Sequence, residues 1–348
     1  MKMLGNLVHQ YFFFTSITVG NFGFIFFDIA GEQLTELKKD LRLSTKSGYA
    51  VGTTRNLRIQ WESYLLFCAF FSFSPIPTTT SILGLYGQFL SRSFKAVDSI
   101  RNYISGVFTM HQLLGIDLEI NKFLLNLSLK GINRLNPHCV RQALPITSGI
   151  LLEMYPFFDL HVTSDACFWC LFLFAFFLLA RKSNLVLDKK SDVSGKYLLR
   201  ESVRYLNNNL VVSIHWSKTL QFGERILELP LLRSNTILCP VTAYENMLRL
   251  SAVQEDKPLF SISNKMAITY SMFQAKLKDM ISRIGLSSSD YSTHSFRRGG
   301  ATLAFQAGVP ADLIQLQGDW KSDSYKKYLN FTLSDKLHVA ELMNAKIL

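Results

Sequence analysis

The stretch THSFRRGGATLAFQAGVPADLIQLQGDWKSDSYKKYL, Thr293 to Leu329, decides the fold, because it gathers His294, Arg297, Trp320, Tyr325 and Tyr328 in one short segment. A helix begun by Ser292 or Thr293 as N-cap puts His294 and Arg297 on one face, where both can reach one anion. Gly308 stops that helix and Pro310 starts the next. Gly318, Asp319 and Trp320 then make a turn, and Ser322 or Asp323 can cap a short helix carrying the two tyrosines. Histidine, arginine, an indole donor and a phenol in one place make a phosphate site with a nucleophile beside it. A His-x-x-Arg by itself is more often a solvated pair, so the weight lies in its company.

His294-Ser295-Phe296-Arg297, then Gly318-Asp319-Trp320, then Tyr328 resemble the C-terminal half of the tyrosine recombinase (phage integrase) catalytic domain. The Arg-Gly-Gly-Ala-Thr run after Arg297 and the Gly-Asp-Trp-Lys-Ser-Asp run are most similar to recombinases of eukaryotic mobile elements of the Crypton and DIRS kind. That family adds an upstream arginine near the end of an apolar helix and a lysine in a β-hairpin. Arg181 closes CFWCLFLFAFFLLARKSNLVL, where an apolar helix would emerge from the core. Lys218 lies in VVSIHWSKTLQFGERILELPL: Val211 to Trp216 alternate as a strand, Phe222-Gly223 turns the chain, and Arg225 to Leu229 return. The resemblance therefore implies a catalytic set of Arg181, Lys218, His294, Arg297, Trp320 and Tyr328, drawn from four separate segments.

The roles follow from the chemistry that the resemblance implies. A phenol suits strand exchange because it is both nucleophile and leaving group, so the phosphodiester bond is stored as a 3′-phosphotyrosyl ester while a 5′-hydroxyl departs. No metal or other cofactor is required. The transition state gains charge on its non-bridging oxygens, and the forked donors of Arg181 and Arg297 would clamp them. Single donors of this kind are worth on the order of 3 kcal/mol. Lys218 is the candidate general acid for the leaving oxygen. With a phenol pKa of about 10, Tyr328 needs help from His294 or from the arginines' field. Trp320 would donate its indole N–H to phosphate. Tyr328 is the first choice as nucleophile by its distance from Trp320; Tyr325, three residues earlier, is the second choice or a packing residue. His215 reads as a strand residue.

The 348 residues carry 37 Lys+Arg against 26 Asp+Glu, a formal charge of +11, which favours a polyanion partner through counterion release. At 48% hydrophobic residues the chain can bury a large core, which excludes disorder. Five cysteines without framework spacing argue against a disulfide scaffold. Cys167 and Cys170 form a C-x-x-C among Phe168, Trp169, Leu171 and Phe172; with no second pair, they read as buried helix residues and not as metal ligands.

Two apolar stretches raise the question of a membrane. Ala166 to Ala180 is short for a span and runs into Arg181, so it reads as a core helix. Gln10 to Phe27 is uncharged, but Gly20, Asn21, Gly23 and its β-rich aromatics make a poor transmembrane helix. Residues 1–45 are taken as an extension outside the recombinase fold, with a membrane partner not expected.

Residues 46–135 read as a helical bundle. Trp61, Tyr64, Leu65, Cys68 and Phe71 recur at helical spacing, Pro75 and Pro77 stop that helix, and Thr79 or Thr80 caps the next with Leu83, Tyr86 and Leu90 inward. A third helix runs from about Val97 to Leu114, with Ile100, Ile104, Val107 and Phe108 inward, and a fourth lies between Leu118 and Leu129. The resemblance makes this the core-binding domain, which with the catalytic domain clamps duplex DNA. Arg55, Arg58, Arg92, Lys95, Arg101 and Arg134 are its candidate phosphate contacts.

Residues 136–348 form the catalytic half. Strands are expected around 197–206, 210–217 and 224–231, a helix at 241–250 behind Pro240, and one from a Ser271 cap through Ile284 with Phe273, Leu277 and Ile281 inward. The fold class is mainly α with a small antiparallel β-sheet. After Tyr328, Leu333, Leu337, Val339, Leu342 and Met343 make an apolar stripe that packs on its own domain or on a neighbouring protomer. The expectation is a DNA-cutting and rejoining recombinase of a eukaryotic mobile element or its domesticated descendant, located in the nucleus and assembling as a tetramer on double-stranded DNA, with no small-molecule substrate. Its rivals are a DNA-binding protein that lost turnover, a type IB topoisomerase, and a membrane-anchored protein of unrelated function.

Overall fold

The structure is a computed structural model and describes residues 22–138, 142–217, 220, 223, 225–327, 333, 337, 340, 341 and 343; the side chains of 22–32, 46, 324 and 327 are not described. Contacts divide the chain into two compact units, Met1–Val140 and Arg141–Leu348, each with its own apolar core.

The first unit holds five helices: α1 (Phe22–Ser47), α2 (Val51–Phe70), α3 (Thr80–Leu90), α4 (Val97–Leu113) and α5 (Lys122–Leu135). Helix α1 begins inside the Gln10–Phe27 stretch, whose first part lies outside the described residues. Among the described residues no helix is long and apolar enough to cross a membrane. Helices α2 to α5 form the bundle, closed over Tyr64, Phe67, Leu83, Tyr86, Ile100, Ile104, Val107, Leu125 and Leu129. Thr79 caps α3 by accepting from the Ile82 amide.

Two details depart from the periodicity reading. Leu65 and Phe71 point outward, and Phe67 takes the inward place. The last helix starts later and runs further than 118–129, because Asn121 accepts from the Leu124 amide as its N-cap and Ile132 adds a buried turn. Buried His111 ties the bundle together: its Nδ1 donates to the Val107 carbonyl at 2.8 Å while Nε2 accepts from the Thr78 amide at 3.2 Å.

The second unit is built around α7 (Thr163–Phe177), preceded by α6 (Ser148–Met154) and followed by the single turn α8 (Lys182–Leu185). Every residue of α7 from Ala166 to Phe176 is buried, so this helix is apolar all round because neighbours cover it all round. Cys167 and Cys170 are inside it as free thiols, and burial pushes the Cys167 thiol up to about 11. Among the described residues no cluster could hold a metal ion.

Three antiparallel strands, β1 (Val203–Leu206), β2 (Asn209–Ile214) and β3 (Leu227–Leu231), form the sheet in that order. The register pairs Leu206 with Asn209 and Ile214 with Leu227. Asn207 and Asn208, both at positive φ (46° and 66°), make the tight connection from β1 to β2. All three strands are shorter than their alternation implied, and exposed His215 falls just past the end of β2.

Helix α9 (Pro240–Leu250) packs on α7; β4 (Ser261–Ser263) and β5 (Met266–Ala267) make a small ribbon. Helix α10 (Tyr270–Arg283) buries Phe273, Leu277 and Ile281 fully, as their spacing requires. Its N-cap is Thr269, accepting from the Met272 amide, two residues before the expected Ser271. Helices α11 (His294–Gln306) and α12 (Ala311–Gln317) and a 3₁₀ turn (Asp323–Lys327) complete the described part.

Candidate active site around the Gly318–Trp320 turn

Helix α11 approaches α7 closely because it carries glycine where the backbones meet. A Cβ on Gly299 would run into the Ile146 carbonyl oxygen, and one on Gly300 into the Phe176 carbonyl and the Leu179 side chain. This docking sets the depth of Arg297, one turn of chain ahead, which is 2% exposed.

Arg297 reaches two chain segments at once. Its Nη1 donates to the Leu179 carbonyl and its Nη2 to the Gly318 carbonyl at 2.6 Å. The guanidinium carbon lies 3.8 Å from the centroid of the Trp320 ring, a cation–π contact in a desolvated setting. Leu179 presents its carbonyl from a left-handed conformation, φ 49°, in the turn after α7. The apolar helix therefore ends at Phe177 and not at Arg181, because the chain must bend here to bring both Leu179 and Arg181 to the site. Arg181 is the residue from which α8 starts, in extended backbone.

The Gly318-Asp319-Trp320 turn is the meeting point. Gly318 is required because any Cβ would sit inside the Trp320 ring. Asp319 adopts φ 52°, a region that aspartate tolerates better than most residues. Its carbonyl accepts from Arg181 Nη2 at 3.2 Å, and its carboxylate accepts from Ser217 Oγ at 2.6 Å and from Arg225 Nη2 at 2.9 Å, with Arg181 Nη1 at 3.7 Å. Trp320 packs on buried Tyr325, ring centroids 6.1 Å apart, within a small cluster that includes Leu179, Ala301 and Ile314.

His294 is the first residue of α11 and keeps an exposed surface. Partial burial first, then the positive charges of Arg297, Lys182 and Arg181, hold its imidazole below the usual 6.5, so the neutral base is favoured near neutrality.

The structure thus brings together Arg181, His294, Arg297 and Trp320. Tyr325, the second choice as nucleophile, is 4% exposed and packs on Trp320. Lys218 and Tyr328 lie outside the described residues. The site also includes Asp319, Ser217 and Arg225, which sequence reasoning missed. Asp319 carried a signal, an acid between glycine and tryptophan beside predicted arginines. Ser217 and Arg225 carried none, since 102 and 94 positions separate them from Asp319. In the first unit Arg55, Arg58, Arg92, Lys95 and Arg134 are exposed; Arg58 pairs with Glu62 at 2.7 Å, and half-buried Arg101 donates to Asn126 at 2.9 Å.

This mainly helical unit with its three-stranded antiparallel sheet has the fold of the tyrosine recombinase catalytic domain. Among solved structures the chain is similar to residues 75–356 of lambda integrase as a dimer bound to a COC′ core site, with a TM-score of 0.54 and 15% identity over 84% of this chain and 94% of that one. It is also similar to the XerH site-specific recombinase in a post-cleavage complex with palindromic difH substrate (0.51, 15%, 77% and 70%) and to a lambda integrase tetramer bound to a Holliday junction (0.50, 14%, 86% and 77%). At such identities the likeness is one of fold. In sequence, no family model and no curated protein matches the chain.

Proposed function

We propose that the protein cleaves and rejoins DNA strands as a tyrosine recombinase. The observation that carries this reading is the convergence of Arg181 and Arg297, 116 positions apart, on the Gly318–Trp320 turn with His294 beside them. Such a group can polarise a phosphodiester and accept a phenol proton without a metal. The nucleophile would be Tyr328, next in line beyond the Trp320–Tyr325 packing, with Lys218 as the acid for the departing 5′-oxygen. Arg297, held from three sides, would act from beneath the phosphate and Arg181 from its more exposed flank.

The finer assignments are a Crypton- or DIRS-like mobile-element origin, a nuclear location and a tetramer on duplex DNA. The charge of +11 supports the DNA partner, and the exposed Leu333, Leu337 and Met343 support assembly between copies. The phosphate contacts of the first unit would come from Arg55, Arg58, Arg92, Lys95, Arg101 and Arg134.

Covalent trapping tests the chemistry. The protein is incubated without metal on nicked duplexes taken from the DNA that flanks its own coding sequence. A denaturation-resistant adduct that survives Tyr325→Phe and disappears with Tyr328→Phe is the expected result. Salt-sensitive binding to the same duplexes without any adduct would replace the recombinase by a DNA-binding protein of the same fold.

A further inference from the structure

The Asp319 carboxylate is 5% exposed, whereas the two arginine side chains that meet it, Arg181 and Arg225, are 20% and 50% exposed. Negative charge is thus held inside and positive charge is presented outside. Oδ1 takes Arg225 Nη2 at 2.9 Å; Oδ2 takes Ser217 Oγ at 2.6 Å and lies 3.7 Å from Arg181 Nη1, whose neighbour Nη2 donates to the Asp319 carbonyl. Two guanidiniums this close would repel each other without a shared counter-charge. A guanidinium has five N–H donors in a rigid fork, so one or two fixed on Asp319 orient the rest.

Arg297 differs from this pair. It is 2% exposed, and both of its terminal nitrogens donate to backbone carbonyls. The guanidiniums with exposed surface at this turn are therefore Arg181 and Arg225. Asp319 contacts both, one through each carboxylate oxygen.

We infer that Arg225 is a further phosphate-binding residue of this site, standing beside Arg181, and that Asp319 is the positioning residue that keeps both guanidiniums side by side and turned outward. The inference deepens the recombinase reading and rests on it: the ligand is a phosphodiester of duplex DNA. A purely conformational role for Asp319 is the competing account, since φ 52° alone would favour a small set of residues there. Glycine satisfies that φ at no steric cost and removes the carboxylate, so it separates the two.

The test is anisotropy titration of a short duplex of arbitrary sequence over a range of salt, with the full chain, Arg225→Gln, Asp319→Asn, Asp319→Gly and the Arg225→Gln/Asp319→Asn double variant, each checked by thermal melting. Arg225→Gln should reduce the slope of log affinity on log salt by about 1, one phosphate contact. In the Asp319→Asn background the same change should cost much less affinity, because the pair acts as a unit. Asp319→Gly should behave like Asp319→Asn. An unchanged slope in Arg225→Gln, additive costs in the double variant, or an Asp319→Gly protein that binds as wild type would each overturn the inference. These readouts need no cleavage. The recombinase reading fails separately, through a wild-type protein that binds DNA and forms no adduct.

Discussion

A charged guanidinium is buried only where acceptors and a polarisable surface meet it, because an unpaired buried charge is too costly. Arg297 has the Leu179 and Gly318 carbonyls at its ends and the Trp320 ring against its face. It therefore binds the turns together, and under the proposed function it would also offer charge to phosphate, so stability and chemistry are tested by separate substitutions. Arg297→Ala should destabilise the protein by about 3 kcal/mol in urea melts, as loss of a buried hydrogen-bonded network does. Arg181→Lys, at a partly exposed position, should leave the melt almost unchanged but lower the rate of adduct formation by about a hundredfold, because a point charge cannot replace a fork.

The pH dependence of His294 has a definite sign. Its folded pKa is depressed below 6.5, so between that lowered value and 6.5 the unfolded chain binds more protons. Its contribution to stability is thus fully present above about pH 6.5 and is lost as pH falls through the folded value. Denaturant titrations from neutral to mildly acid pH should show this loss, and His294→Gln should remove His294's part of it. A variant that follows the wild-type curve throughout would discard the assignment. Arg181, His294, Arg297 and Trp320, which meet around the Gly318–Trp320 turn, were legible as candidates because they lie in short motifs with fixed local chemistry. Asp319 was read as a turn residue, since nothing local announces that Ser217 and Arg225 will arrive at its carboxylate.

At the scale of elements, the meeting of α7 and α11 controls the site. Alanine improves an isolated helix by up to about 1 kcal/mol over glycine. At Gly299 and Gly300 the added Cβ meets backbone carbonyls of Ile146 and Phe176 that cannot rotate away. Gly300→Ala should therefore destabilise by about 2 kcal/mol and weaken adduct formation by displacing Arg297. Gly131→Ala, whose added Cβ in α5 meets nothing within 4 Å, should be neutral or stabilising and serves as the contrast. The ends of elements were the least legible feature. Helix α7 stops at Phe177 although Leu178, Leu179 and Ala180 continue its apolar run, because the left-handed Leu179 must turn its carbonyl to Arg297. Caps behaved similarly. Thr79 was one of two candidates, with Thr80, while Thr269 was passed over for Ser271, a residue of similar intrinsic capping ability.

For the whole molecule, separate cores in the first and second units imply separate cooperativity. Calorimetry of the full chain should resolve two transitions, and a fragment spanning 142–348 should retain the higher-numbered core with its own cooperative melt. A single transition in the full chain, absent from this fragment, would show that the units fold only together. The sequence places a boundary between residues 135 and 136, and the contacts divide the chain between Val140 and Arg141.

The amino-acid sequence by itself determined the mainly helical class, the apolar central helix, the inward faces of α3, α4 and α10, and the short motifs that supply Arg181, His294, Arg297 and Trp320. Each depends on periodicity or on a short motif, and both are local properties of the chain. Tertiary structure alone decided that Arg297 is buried under two carbonyls, that Tyr325 packs on Trp320, and that Asp319 gathers Ser217, Arg225 and Arg181. The physical reason is that burial and charge pairing depend on which distant segments share a volume, and one glycine-mediated contact between α7 and α11 brings those segments together.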